Sequence, residues 1–180
     1  SRLYHLEHNH ENARVLVQRH GRGEAARWVV VNEPMPPPTT EELDAVHELP
    51  FEREAHPSYA GARIPALEQI RWSVAILRGC AAGCSFCCIT EHQGRDVTSR
   101  SHASVVREVE ALTRDPRFRG TITDLGGATA NMWQMGCTSA EAHAACRRAS
   151  CVHPSVCPFF AVDHGPLVEL YRAARGVRGV

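Results

Sequence analysis

Apolar residues in the opening part of the chain occur in short runs that predict strands and a connector. Arg14–Val17 and Ala26–Val31 are rich in valine and flank the turn-forming Gly21-Arg22-Gly23, so we expect two short strands here. Val15–Val17 and Val29–Val31 are the residues that we expect to find in the core. The next segment, Asn32–Pro38, contains four prolines, which lack the backbone donor that a helix needs, and it predicts an extended connector.

A helical pattern follows the connector. Thr39 and Glu42 have the spacing of a capping box, in which the side chain of each residue accepts a hydrogen bond from the backbone of the other. Leu43 and Val46 follow at helical spacing, so we predict a short helix from this point. The segment His56–Pro65 returns to residues that favour turns.

Beyond residue 70 the pattern alternates between strand and helix. Two predicted strands, each followed by glycine, are separated by one helix, and a further helix comes later. In chain order these elements are Trp72–Leu77, a helix from Ser101 or Ser104 to about Arg114, Thr121–Leu125, and Pro166–Ala174. Val105, Val109 and Leu112 give the first of these helices one apolar face.

This order of elements is typical of a parallel α/β sheet or barrel, in which chemistry is placed at the carboxyl ends of the strands. We therefore expect an α/β fold in two parts. A small mixed leader occupies residues 1–70, with short strands, the proline-rich connector and one short helix. An α/β core occupies residues 71–180, and there the loop after Leu77 and the Gly126-Gly127 pair are expected on the same face.

Composition narrows the class of protein. The chain has 180 residues, 43% hydrophobic and 22% charged. At about 150 residues per domain, this fits one globular domain, or one domain and a piece. No apolar run approaches the ~20 residues that cross a bilayer. Twenty basic residues, all arginine, balance twenty acidic ones, so charge gives no signal for nucleic acid or membranes, and chemistry that needs lysine is excluded.

From the two ends of the sequence we expect the chain to be part of a longer protein, and from its polar start we expect that protein to be cytoplasmic. The chain begins at Ser1 without a methionine and ends at Val180, within a stretch rich in arginine and valine. Arg2 to Glu11 is too polar for a secretory signal. In the reducing cytoplasm that we therefore expect, eight cysteines are better suited to binding metal than to forming disulfides.

The first cysteine group has the tightest spacing. Cys80-x3-Cys84-x2-Cys87 places three thiols on one loop, and Gly79 and Gly83 let the backbone turn sharply around a bound object. A structural zinc site uses four ligands, whereas a cubane iron–sulfur cluster can be held by three cysteines with one iron left open. The spacing favours a cluster, with zinc or a redox dithiol of Cys84 and Cys87 as alternatives.

Cys137, Cys146, Cys151 and Cys157 form a looser second group. Because 8, 4 and 5 residues separate successive members, these four are a candidate second metal site for an auxiliary iron–sulfur cluster or a zinc ion. The alternative is that they are reduced, partly buried small residues. Among the histidines, His92 and His153 are the two candidates for a role beside the cysteine loops.

The first cysteine motif resembles the CxxxCxFC signature of radical S-adenosylmethionine (SAM) enzymes, and further stretches resemble the YgiQ-like family of that superfamily. Those stretches are spread over essentially the whole chain. They are Leu6-Glu7, Asn12-Ala13-Arg14, Gln18-Arg19-His20-Gly21, Arg78-Gly79-Cys80, Ile89-Thr90-Glu91-His92, Ser99-Arg100-Ser101, Asp124 to Met132, Cys151-Val152-His153-Pro154, Cys157-Pro158 and Asp163-His164.

The resemblance implies a [4Fe-4S] cluster held by Cys80, Cys84 and Cys87, with SAM bound to its open iron. It implies that the reduced cluster cleaves SAM to a 5′-deoxyadenosyl radical, which acts on an unknown substrate, and that a donor such as flavodoxin or ferredoxin supplies the electron. It also implies the fold, the first part of a partial (β/α) barrel. Family members have several hundred residues, so we expect the isolated chain to be inactive.

Other positions take their roles from the same resemblance. Phe86 occupies the aromatic position near the adenine, and the backbone of Gly126-Gly127 contacts the SAM amino group. Ala128 replaces the glutamate that often follows these glycines, and Cys88 is expected to be a bystander. The competing class of function is a non-catalytic interaction module stabilised by zinc or by a cluster.

Overall fold

A computed structural model of the chain describes residues 3, 6–50, 52–127 and 130–180. Within these ranges the architecture is mixed α/β, and the strands pair as three separate two-stranded sheets. The strands are β1 Leu16–His20, β2 Arg27–Val31, β3 Ser73–Ala75, β4 Leu77–Arg78, β5 Thr98–Ser99 and β6 Asp124–Gly126. The α-helices are α1 Thr40–His47, α2 Pro65–Ile70, α3 Ile89–Gln93, α4 His102–Thr113, α5 Ala140–Ala144 and α6 Gly165–Gly176. Each of these helices is too short or too polar to cross a membrane.

Contacts divide the chain into two compact units that alternate along the sequence. Unit 1 comprises Ser1–Pro37, Gly79–Val97 and Met135–Val162, and unit 2 comprises Pro38–Arg78, Thr98–Gln134 and Asp163–Val180. The sequence-based division into residues 1–70 and 71–180 follows a different criterion and stays a prediction.

In unit 1, the two predicted strands are present as β1 and β2 and pair as an antiparallel hairpin, with Leu16 opposite Val31 and His20 opposite Arg27. Gly21 adopts a φ of 79°, which suits the turn between the strands. The prediction that the hairpin valines belong to the core is wrong, because Val17, for example, is 59% exposed. A two-stranded ribbon has two faces, and its valines become buried only where another layer covers them.

The segment before the hairpin is attached to the end of α5 by side-chain amides. Asn9 donates from Nδ2 to the carbonyl oxygens of His143 (2.7 Å) and Cys146 (3.2 Å), and Asn12 donates to those of Ala144 (2.7 Å) and Cys146 (3.1 Å). The last carbonyls of a helix have no partner within the helix, and these amides donate to three carbonyls at and after the end of α5, of which that of His143 also accepts from the N–H of Cys146.

A buried carboxylate strengthens the same attachment. Glu7 accepts hydrogen bonds from the side chains of Arg14 (2.5 Å) and Arg147 (3.2 Å), and its own side chain is 1% exposed. The hydrogen bond from Arg14 lowers the pKa of Glu7 to about 2; burial opposes this shift, and Arg147 adds to it. The ionised form of Glu7 is therefore favoured by folding.

Unit 2 contains both predicted strands of the α/β part, but the second begins at Asp124 and ends at Gly126 instead of spanning Thr121–Leu125. β3 pairs in parallel with β6, with Ser73 opposite Asp124 and Ala75 opposite Gly126. The predicted strand Trp72–Leu77 is divided into β3 and β4 at Ile76, whose N–H donates to Gly126 and whose carbonyl accepts from Arg100. The structure thus confirms a mixed α/β arrangement with a parallel strand pair, and it does not by itself establish a barrel.

The three predicted helices of unit 2 begin at or within one residue of their predicted starts, whereas α2 was not predicted. Thr39 and Glu42 form the capping box of α1, and the Ser101 side chain, rather than that of Ser104, caps α4 by accepting from the Ser104 N–H. The apolar face of α4 is buried as predicted, and it contacts β3 and α6. The buried side chains of this core include Val74, Ile76, Val105, Val109, Leu112, Leu167 and Leu170.

An ion network lies beside this core. The Arg100 side chain is fully buried and donates to the carbonyl of Ala75 (2.8 Å), to Ser104 Oγ (2.8 Å) and to the Glu108 carboxylate. Arg53 pairs with the other carboxylate oxygen of Glu108 and donates to the carbonyls of Arg71 (2.7 Å) and Ser73 (2.8 Å). Glu108 is therefore the shared anion of two arginines that hold the ends of β3.

We expect Glu108→Gln to destabilise the protein by about 3–5 kcal/mol, because it leaves two guanidinium groups without their anion in a largely buried position. Urea unfolding followed by circular dichroism measures this loss. Glu110→Gln, at an exposed position on the same helix, is the matched control and should change the free energy of unfolding by less than about 0.5 kcal/mol. Equal stability of the two variants would contradict the role of Glu108.

We expect Glu7→Gln to lower the melting temperature at neutral pH, with a difference from the wild type that vanishes in acid. Because the folded-state pKa of Glu7 lies near 2, below its ordinary value of 4.5, the stabilisation is complete above pH 4.5 and is lost as pH falls towards 2. Melting curves between pH 7 and 2 test this, with Glu24→Gln at an exposed position as control. A difference that stays constant down to pH 2 would contradict the assignment.

Candidate functional site

The first cysteine group occupies the loop between β4 and α3, within unit 1. Cys80 is buried, Cys87 is partly buried and Cys84 is exposed. All eight cysteines lie in described ranges, and each carries a free thiol. The N–H of Cys80 donates to Gly94 (3.0 Å) and that of Cys87 donates to Cys84 (3.1 Å), so backbone hydrogen bonds fix both the start and the end of the motif.

Two glycines, predicted to let the loop turn around a bound object, allow it to approach other backbone segments closely. Gly79 has a φ of 92°, and a Cβ atom there would lie 1.9 Å from the carbonyl oxygen of Asp96. Gly83 has a φ of 62°, and a Cβ atom there would lie 2.2 Å from the carbonyl oxygen of Ala149. Both positions therefore combine a left-handed backbone with a contact that leaves no room for a side chain.

Thr90 connects the two halves of the loop. Its buried hydroxyl donates to the carbonyl of Cys80 (3.1 Å) and accepts from the N–H of Gly83 (3.3 Å). Thr90 belongs to the stretch Ile89-Thr90-Glu91-His92 and lies on α3. A hydroxyl suits this position because it can donate one hydrogen bond and accept another. Without such a partner the backbone groups of Cys80 and Gly83 would lose a hydrogen bond in a buried place.

The surroundings of the sulfur atoms distinguish Cys87 from Cys88. The N–H of Ile89 donates to Cys87 Sγ at 3.5 Å, and hydrogen bonds of this kind stabilise a thiolate that binds a metal. Cys88 is exposed and precedes α3, where its side chain makes no capping hydrogen bond. Phe86, between Cys84 and Cys87, is 91% exposed.

The donor set fits an iron–sulfur cluster in kind: three thiols on one short loop, one of them already accepting an N–H hydrogen bond. In the arrangement that the structure describes, no three histidine, cysteine, aspartate or glutamate side chains are grouped to hold a metal ion. The assignment of Cys80, Cys84 and Cys87 as ligands therefore stays a prediction.

In unit 2, the Gly126-Gly127 pair lies at the end of β6, next to Asn131. A Cβ atom on Gly126 would lie 2.7 Å from Asn131 Oδ1. The Asn131 amide donates to the Tyr171 hydroxyl (3.0 Å), which in turn donates to the carbonyl of Leu125 (3.1 Å). This chain of donors fixes the orientation of the amide, and Asn131 Oδ1 is buried with no hydrogen-bond partner among the described residues. Ala128 lies outside the described residues.

The four members of the second cysteine group line one cavity of about 380 Å³ in unit 1. The sequence could not show that these four cysteines, up to twenty residues apart, line the same cavity. Arg95 lines the same cavity, and its Nη2 donates to Cys151 Sγ at 3.5 Å. Burial raises the pKa of the Cys151 thiol, and the positive charge of Arg95 opposes this shift.

The two histidines selected from the sequence for a role beside the cysteine loops, His92 and His153, are exposed and do not line this cavity, whereas His8 and His143 do. His143 pairs with Asp96 (2.7 Å) and Glu11 (3.3 Å). Burial acts to lower the pKa of His143, but these two carboxylates outweigh burial and raise it. The one feature of the sequence that could have indicated His143 as a neighbour of this cysteine group is its position three residues before Cys146.

Comparison with known proteins agrees with the family suggested by the cysteine motif. A family model described as "Radical SAM N-terminal" matches residues 1–73. The chain is 51% identical over its whole length to "UPF0313 protein YgiQ" of Salmonella typhimurium and covers 24% of that protein. It is 49% identical over its whole length to a UPF0313 protein of Rhodopseudomonas palustris, of which it covers 26%.

A third relative, a UPF0313 protein of Pseudomonas syringae, is 50% identical over the whole chain, which covers 23% of it. The chain thus spans about a quarter of the length of these relatives. No solved structure matches it. Identity of about one half, maintained from one end of this chain to the other, establishes the relationship: the chain belongs to the YgiQ-like family of the radical SAM superfamily.

Proposed function

We propose that this chain is the cluster-bearing part of a radical SAM enzyme, and that Cys80, Cys84 and Cys87 hold a [4Fe-4S] cluster. The observation that carries the proposal is the construction of the loop. Three free thiols follow one another within eight residues, two glycines permit backbone contacts that a side chain would prevent, and an N–H group is already directed at Cys87 Sγ.

The residues of the loop have separable roles in this proposal. Thr90 holds the Cys80 and Gly83 backbone together, so the first two thiols start from a defined loop. Binding draws the three thiols towards one another, and the exposed Cys84 has the most freedom to move. The Ile89 N–H stabilises the charge on Cys87 Sγ once that thiol has lost its proton. When bound and reduced, the cluster supplies the electron that cleaves SAM to a 5′-deoxyadenosyl radical.

The SAM contacts proposed for unit 2 are the backbone of Gly126-Gly127 and the side chain of Asn131. In the superfamily pattern a glutamate often follows the glycines, and this chain has Ala128 at that position. Asn131 Oδ1 is a buried acceptor without a partner among the described residues, and it lies against Gly126. An ammonium group such as that of SAM would supply the missing donor.

The substrate is not specified by these residues. The electron must come from a reduced partner, for which a flavodoxin or ferredoxin is the chemical class that we propose. A cytoplasmic location, where such donors and free thiols coexist, is part of the same proposal.

We expect Cys80→Ala, Cys84→Ala and Cys87→Ala each to abolish assembly of this cluster, because a site with three ligands does not tolerate the loss of one. Cys88→Ala is the matched control and should assemble the cluster fully. The measurement is the electron paramagnetic resonance signal of the reduced cluster, and its change on adding SAM, after anaerobic reconstitution with iron and sulfide. Equal loss in all four variants would show that the ligands are wrongly assigned, and a colourless protein that binds zinc instead would favour the non-catalytic module.

We expect the 180-residue chain alone to cleave SAM poorly. It covers about a quarter of its relatives, and its described ranges contain one parallel strand pair, whereas a SAM site that protects a carbon radical must exclude water. The test reduces the reconstituted chain with dithionite and measures 5′-deoxyadenosine beside a full-length relative. Repeated turnover at a comparable rate would show that this part is sufficient and that our expectation is wrong.

A further inference from the structure

We infer that the cavity lined by Cys137, Cys146, Cys151 and Cys157 is a second iron–sulfur site, distinct from the one on Cys80, Cys84 and Cys87. All four thiols are free, and all four line the same space within unit 1. They come from three separate places, namely the start of the segment before α5, the residues after α5, and the loop that follows. Folding therefore places on the wall of one cavity cysteines that are up to twenty residues apart in sequence, although among the described residues no three of them are yet grouped to hold a metal ion.

The size of the cavity argues for a cluster over a single ion. A zinc ion bound by four cysteines lies about 2.3 Å from each sulfur, so its ligands surround it with no space between them. Here the four cysteines, together with other residues of unit 1, line a cavity of about 380 Å³. A space of this size suits a compact inorganic cluster of several iron and sulfide atoms, held by one thiolate per iron.

Arg95 gives the second, independent indication of an anionic occupant. Its Nη2 donates to Cys151 Sγ at 3.5 Å, while its Nε and Nη1 are buried and have no hydrogen-bond partner among the described residues. A guanidinium group keeps its charge at any physiological pH, and burying its N–H groups without acceptors is costly. A cluster with four thiolate ligands carries net negative charge, and its sulfur atoms are acceptors that could satisfy these N–H groups.

The cavity is also attached to the first cysteine loop. The N–H of Cys151 donates to the carbonyl of Ala81 (2.9 Å), the residue after Cys80, and Ala81 itself lines the cavity. One hydrogen bond and one peptide unit thus separate a ligand of the second site from a ligand of the first. A cluster in the cavity would be placed to influence the charge and potential of the proposed radical SAM cluster.

The test uses the whole 180-residue chain with two complementary sets of substitutions. The triple variant Cys80→Ala/Cys84→Ala/Cys87→Ala, reconstituted anaerobically with iron and sulfide, should retain about four iron atoms per chain and a broad absorbance near roughly 400 nm. The quadruple variant Cys137→Ala/Cys146→Ala/Cys151→Ala/Cys157→Ala should lose this cluster and keep the one that responds to SAM. The wild type should bind about twice as much iron as either variant, and Cys88→Ala should equal the wild type.

The triple variant is designed on the proposed function, because it removes the three cysteines assigned to the first cluster. The possible outcomes nevertheless distinguish failure of the second site from failure of the first. A triple variant without iron, beside a wild type that keeps one cluster, overturns the second site alone. A quadruple variant without iron, beside a triple variant that keeps its cluster, overturns the first site alone. A triple variant that is colourless and binds one zinc ion also overturns the inference, because the cavity would then hold an ion rather than a cluster.

Two milder variants guard against loss of folding in the quadruple variant. In the triple-variant background, the double change Cys146→Ala/Cys157→Ala should remove the iron while leaving the circular dichroism spectrum unchanged, because two cysteines of the cavity remain, fewer than the three that hold a cubane cluster. Arg95→Met in the same background should still assemble the cluster but lower its reduction potential, because a positive charge beside the cluster stabilises its reduced form. A potential that does not change, or iron that stays bound in Cys146→Ala/Cys157→Ala, would contradict the assignment.

Discussion

The close approach of two backbone segments is the constraint on which the cysteine-rich part of this protein depends. Gly83 lies so near Ala149 that a Cβ atom would come within 2.2 Å of its carbonyl oxygen, and two residues on, the N–H of Cys151 donates to Ala81. The loop that carries the first cysteine group and the segment that carries part of the second are therefore one structural feature. A side chain at position 83 would force them apart, and with them the two groups of thiols.

Unit 2 is organised on a different principle. Its parallel strands are only three residues long, so few backbone hydrogen bonds hold β3 to β6. Packing of the apolar face of α4 and the ion network of Glu108 supply the stability that so few backbone hydrogen bonds do not provide. Arg53 and Arg100 donate to backbone carbonyls of β3 and its flanking residues while sharing Glu108, so the network fixes the strand and the helix together.

The sequence predicted best where a local pattern determines the structure. The capping box of Thr39 and Glu42, the apolar face of α4 and the turn at Gly21 all depend on residues a few positions apart, and each was confirmed. The prediction that the hairpin valines are buried was wrong, because β-branched residues predict a strand but do not show whether another layer covers it. In the same way, Thr90 and Arg95 carried no local signal, since their partners Gly83 and Cys151 become neighbours only through folding. For the cysteines, spacing could predict that three thiols share a loop, but not that the other four share a cavity.

Arg100 and Arg95 differ in how many of their N–H groups have an acceptor. This difference distinguishes an arginine with a purely structural role from one that is a candidate for binding a ligand. Arg100 has each of its three nitrogen atoms paired with an acceptor on Ala75, Ser104 or Glu108, and its role is complete within the fold. Arg95 has one nitrogen on Cys151 and two without acceptors among the described residues. Both side chains carry the same charge and the same five donors. Because an unpaired buried donor costs about 1–3 kcal/mol, a fold that keeps Arg95 in this state bears a cost that its own contacts do not offset, and an anion in the cavity is the kind of partner that would offset it.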